Sequence, residues 1–132
     1  MHKRFIAGGA LLAAIAVALG AFGAHGLKKI VPAETVQIFQ TGVQYQMYHA
    51  LALLLTGILY EKCYPKFARI AGVLFIVGII LFSGSLYLLT AGKAAETTSF
   101  DKTGIITPFG GLAFIVGWLY LFLSAMKKSE RS

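Results

Sequence analysis

From Phe5 to Leu27 the chain reads FIAGGALLAAIAVALGAFGAHGL, without a single Asp, Glu, Lys or Arg. That stretch constrains the fold more than any other feature, because about 20 largely apolar residues in a helix cross the roughly 30 Å of bilayer hydrocarbon. Comparable apolar runs occupy 67–90 and 105–126, and a less uniform one occupies 40–60. In hydrocarbon a segment must pair its own backbone N–H and C=O groups, and a helix does so within itself. The expected fold is all-α, an integral membrane antiparallel four-helix bundle. It forms a single domain over 1–132 with spans at about 5–27, 40–60, 67–90 and 105–126. The second span qualifies only if its polar first half packs against protein. Its helix is expected to begin earlier than the apolar run, near Thr35, after the start signal of Pro32.

Composition agrees. Apolar types make up 58% of the chain and charged residues 13%, with a mean hydropathy of +0.76. A soluble domain this small needs more polar residues to cover its surface. The net charge of +7 comes from twelve Lys and Arg against five Asp and Glu, placed at the ends of the apolar runs. They form no basic face and no nucleic-acid motif, so nucleic acid is not an expected partner. They do report orientation. Four spans put Lys3, Arg4, Lys62, Lys66, Arg69, Lys127, Lys128 and Arg131 on one side, and Lys28, Lys29, Lys93 and Lys102 on the other. The excess of basic residues faces the cytoplasm, which places both termini there. The N-terminus also resembles a signal peptide, but its apolar part exceeds the usual core and three further apolar segments follow, so a retained first helix is expected.

Motifs that carry reactions are missing. There is no GxSxG, HExxH or CxxC, and the five acids, Glu34, Glu61, Glu96, Asp101 and Glu130, fall in loops or at helix ends. The chain is therefore read as not an enzyme. A proton-coupled exporter would want an embedded carboxylate, and the spans hold none. Cys63 is the only cysteine, too few for a disulfide and without metal-ligand spacing. His25 and His49 supply two imidazoles with no acid at comparable depth, so no metal or other cofactor is expected.

Small residues should let helices approach closely in lipid. Ala16, Gly20 and Ala24 recur at four-residue spacing on the first helix and are expected to form its packing face. On the second helix Gly42, Tyr45, Gln46, His49, Thr56 and Tyr60 share one stripe, with Gln44 and Tyr48 off it. Unpaired polar groups are costly in hydrocarbon, so that stripe should face the bundle. Depth suggests partners in the outer half: His25, Ser83, Ser85 and Thr107. The candidate polar cluster is thus His25, Tyr45, Gln46, His49, Ser83, Ser85 and Thr107. It admits two readings. One is a pocket that binds or passes a small molecule or lipid, with His49 as its ligand-binding or titrating group. The other is a hydrogen-bonded clasp in a structural or accessory subunit. The partners that fit are the lipid bilayer, a small-molecule or lipid ligand, and a second copy or another membrane protein.

The segments GAFGAHGLK, FQTGVQYQMYHALALL, LFSGSLYLL and GIITPFGGLAFIVGWL, taken in order, cover nearly the whole chain. Together they resemble a family of small four-span bacterial inner-membrane proteins of unknown function that also includes the animal transmembrane protein 256. The resemblance implies a multi-pass protein of the bacterial cell membrane and no particular reaction, substrate or cofactor. His25, Gln44, Tyr45, Gln46, Tyr48, His49, Ser83, Ser85, Thr107 and Pro108 lie inside the family-like segments.

Overall fold

Each apolar stretch is helical in the computed structural model, which describes residues 1–127; Lys128, Glu130 and Arg131 lie outside them. The helices are α1 (Lys3–Ala24), α2 (Ala33–Leu59), α3 (Pro65–Gly78), α4 (Gly84–Ala94) and α5 (Thr107–Met126). A π-helical turn, Ile79–Ser83, joins α3 to α4 as one continuous rod, with the Gly84 N–H bonded to the Ile79 carbonyl five residues back. Among the described residues three stretches are long and apolar enough to cross a membrane, Lys3–Lys29, Pro65–Ala94 and Asp101–Met126, whose 18-residue windows have mean hydropathies of 2.3, 2.4 and 1.9. α2 is 27 residues long, but the glutamines and His49 keep it outside that group.

Local chemistry sets the helix ends. The His2 Nδ1 accepts the Phe5 N–H at 3.2 Å and caps α1. Pro32 is extended, and its carbonyl accepts the N–H groups of Thr35 and Val36, so α2 begins at Ala33, two residues before the expected Thr35. Pro65 and Pro108 occupy the first turns of α3 and α5, where a missing N–H costs little. α4 ends with Glu96 at φ 55; Glu96 N–H bonds the Lys93 carbonyl and Thr97 N–H the Gly92 carbonyl. That is the two-bond left-handed closure usually made with glycine.

Neighbouring helices run in opposite directions, as their contacts show. A Cβ on Gly9 would meet Leu54, one on Gly20 Val43, and one on Gly23 Phe39, pairing α1 with α2. Gly117 lies against Phe75, and Gly110 against Phe82 in the π turn, pairing α5 with the α3–α4 rod. Ala52 of α2 shares a core cluster with Ala71 and Phe75 of α3. At one end of the molecule the Met1 ammonium pairs with Glu61, the His2 N–H bonds the Gly57 carbonyl and the Tyr64 N–H bonds the Ser124 carbonyl. At the other end Leu27, Val31, Val36 and Phe39 pack together, with Ala94 against them.

The α1 seam differs in register from the four-residue expectation. Its buried residues are Phe5, Gly9, Ala16 and Gly23, while Gly20 and Ala24 are half-buried at its flank. A seven-residue spacing drifts only about 20° per step around a straight helix, so Gly9, Ala16 and Gly23 stay on one contact line. Steps of four drift twice as far and leave it. At Gly9 the position of a Cβ lies 2.6 Å from the Ala50 carbonyl oxygen, a backbone atom that cannot swing aside.

Candidate functional site

One face of α2 packs against α1, α3, α4 and α5, so the buried polar side chains Gln46 and His49 each meet the helix on their own side, while Gln44 and Tyr48 are exposed. His49 is 5% exposed. Its Nδ1 lies 2.7 Å from the Tyr45 carbonyl one turn back, and its Nε2 lies 3.0 Å from the Trp118 indole nitrogen on α5. An indole N–H only donates. Nε2 therefore accepts, and the ring proton sits on Nδ1 and donates to Tyr45. This neutral tautomer satisfies both nitrogens; a second proton would set N–H against N–H. Phe114 stacks on the imidazole at 3.5 Å between ring centres and 11° between planes. Phe75 closes another side at 5.7 Å.

Gln46 is 3% exposed and turned toward different helices. Its amide nitrogen donates to the Leu12 carbonyl of α1 at 2.8 Å. Its oxygen accepts the Tyr87 hydroxyl of α4 at 2.6 Å. Three residues on a helix turn through about 300°, which is 60° short of a full circle. That offset sends Gln46 toward α1 and α4 while His49 faces α5. Ser83 is fully buried and donates to the Gly42 carbonyl at 2.6 Å. Ser85 donates to the Phe82 carbonyl at 2.8 Å and lies 2.6 Å from the Thr107 hydroxyl, so Thr107 donates to Ser85.

The expected cluster is thus resolved into distinct links, with Gln46 joining α2 to both α1 and α4 and His49 joining it to α5. Ser83 and Ser85 do not bond Gln46 or His49. His25 follows the last turn of α1 with its backbone N–H on the Phe22 carbonyl, and it is exposed. Among the described residues its side chain reaches neither Gln46 nor His49. Tyr45 is 38% exposed, its ring 4.7 Å from that of Phe82. Depth also shifts. Leu12 and Trp118 lie near the middles of α1 and α5, and so therefore do their partners Gln46 and His49. α2 runs 27 residues from Ala33, so at 1.5 Å per residue Gln46 lies about 20 Å along it, near its midpoint.

Two side chains central to these links escape a reading of α2 alone: Trp118 and Phe114. A tryptophan in mid-span, away from the interface where tryptophans usually sit, is the signal that could reveal the first, because its N–H needs an acceptor. Gln40 adds a further link, donating to the Gly20 carbonyl at 3.2 Å.

Among the described residues, no buried side-chain nitrogen or oxygen lacks a hydrogen-bond partner. A cavity of about 370 Å³ lies against Lys28, Val31, Ala33, Val36 and Gln37. Another of about 250 Å³ is lined by Phe22, Leu27, Ile30, Phe39, Tyr87, Thr90, Ala91 and Ala94. Neither touches His49. Cys63 is a buried free thiol. No group of three or more His, Cys, Asp or Glu among the described residues is placed to hold a metal ion.

Comparison with known proteins gives a consistent result. Residues 19–111 match the family described as protein of unknown function (DUF423). The UPF0382 membrane protein YwdK of Bacillus subtilis is 46% identical over 126 residues, covering 95% of this chain and 98% of its own. The UPF0382 membrane protein SAB0533 of Staphylococcus aureus is 42% identical, covering 95% and 97%. A UPF0382 membrane protein of Haemophilus influenzae is 37% identical, covering 98% and 99%. No solved structure matches the chain.

Proposed function

The chain belongs to the DUF423 family of membrane proteins of unknown function, and from that premise we propose a four-span protein of the bacterial inner membrane whose buried polar side chains clasp its helices. In this reading α2 is the fourth span, both termini are cytoplasmic, and the protein is a non-catalytic structural or accessory subunit. Its outer faces meet lipid and a membrane partner. The observation that carries the reading is the complete pairing of buried polar atoms among the described residues. A pocket built to bind or pass a solute keeps polar groups for that solute. Here Gln46, His49, Ser83 and Thr107 spend theirs on other helices. The charge asymmetry, eight basic residues against four, supports cytoplasmic termini. The meeting of Met1, Glu61, Tyr64 and Ser124 at one end supports placing both termini on the same side.

Cysteine labelling tests both parts. In a Cys63→Ser background, Ser99→Cys should react with a membrane-impermeant maleimide from outside, and Lys66→Cys only after permeabilisation. Reversed sidedness would overturn the topology. Ser83→Cys should stay protected in intact membranes. Labelling there at the rate of Ser99→Cys would reveal a water-filled vestibule and replace the clasp with a passage.

A further inference from the structure

We propose that the cavity at the start of α2 seats an acyl chain of an anionic phospholipid, with the lipid phosphate held by Lys28. The cavity measures about 370 Å³, and Val31, Ala33 and Val36 give it apolar walls. Lys28 stands among those walls in the short turn Leu27–Lys29 that follows α1. The one ion pair among the described residues joins Met1 to Glu61, so none of the described carboxylates pairs with Lys28. Glu34 is exposed nearby in the first turn of α2 but does not line the cavity. An apolar slot alone would accept any lipid tail. An unpaired ammonium beside it selects a tail attached to an anion, and Lys29, exposed in the same turn, adds to the attraction. The inference rests on the four-span reading, which brings the turn after α1 to the headgroup level of the non-cytoplasmic surface. There the molecule with one apolar and one anionic end, always at hand, is the phospholipid.

Native mass spectrometry of the full-length protein, titrated with phosphatidylglycerol and with phosphatidylcholine, tests it. Phosphatidylglycerol should be retained in preference by about fivefold, the effect of a basic residue near anionic lipid. Lys28→Gln should abolish that preference. Ala33→Trp, at an exposed position on the cavity wall, should reduce retention of both lipids, and it keeps the test alive if Lys28→Gln misfolds. Inorganic phosphate should not displace the lipid. Equal retention of the two lipids would overturn the proposal, as would a preference that survives Lys28→Gln or retention indifferent to Ala33→Trp. Displacement by inorganic phosphate would overturn the lipid and leave a free-anion site. Maleimide labelling of Ser99→Cys on the same samples separates the premises. Correct labelling without lipid preference strikes the lipid site alone, whereas Lys28-dependent preference with reversed labelling strikes the topology alone.

Discussion

α2 and α5 are both long enough to span a bilayer, yet they are held in place by different means. Twelve of the 27 residues of α2 are buried, against five of the 20 in α5. α2 contributes Gln46, His49 and the Gly42 carbonyl to bonds with its neighbours. α5 keeps a strip of Phe109, Leu112, Ile115, Leu119 and Phe122 on the outside and docks through Gly110, Phe114 and Gly117. The difference teaches where polarity is affordable in such a molecule. A helix face turned onto protein can carry an amide and an imidazole because partners are within reach. A helix that faces lipid relies on close approach, and association in lipid has little hydrophobic drive of its own.

The largest effect should come from closing that approach on α2's side. Gly9→Leu drives a side chain into the Ala50 carbonyl and Leu54 and should cost about 3 kcal/mol, the upper range for overpacking. Gly20→Leu meets only a Val43 methyl, at 3.3 Å from the Cβ position, and should cost about 1 kcal/mol. Thermal melting in detergent would rank the two; a larger loss at Gly20 would restore the four-residue seam. Next comes Gln46→Leu, which removes the acceptor of the Tyr87 hydroxyl and the donor to the Leu12 carbonyl and should cost about 2 kcal/mol in the same assay. No loss would mean that α2 is held by packing, as α5 is. Glu96→Gly should stabilise by about 1 kcal/mol, because glycine adopts the left-handed conformation without steric penalty. Unchanged melting would show that this closure carries no strain. Smallest is Ile115→Ala on the outer strip of α5, expected to stay within about 0.5 kcal/mol. A larger loss would give α5 a protein neighbour where lipid is expected.

How far could the chain be read before its structure? The helices were legible because a long run without charge has few alternatives. The inward face of α2 was legible too: Gln46 and His49 are buried as the 100° spacing requires. Their partners were not. Periodicity says which way a side chain points along its own helix, but not which helix lies there or at what height. So the polar stripe on α2 gives no ground for separating His25, at a helix end, from His49, and none for singling out Trp118 within an apolar run. The π turn was hidden for a related reason. Ile79, Ile80, Leu81 and Phe82 suit either kind of turn, and only the bond from Gly84 to Ile79 distinguishes them. The early start of α2 was obscured because Pro32 caps through its carbonyl, which leaves no polar side chain to mark the position.

Trp118 is the chain's one tryptophan. Its N–H is bonded to the imidazole of α2 while its ring is 46% exposed. The protein consequently carries a single indole fluorophore wired across one helix contact. Its emission colour and lifetime report the contact between α2 and α5 with no other indole to dilute the signal. A question of helix docking becomes one of optics, readable in intact membranes without adding a label.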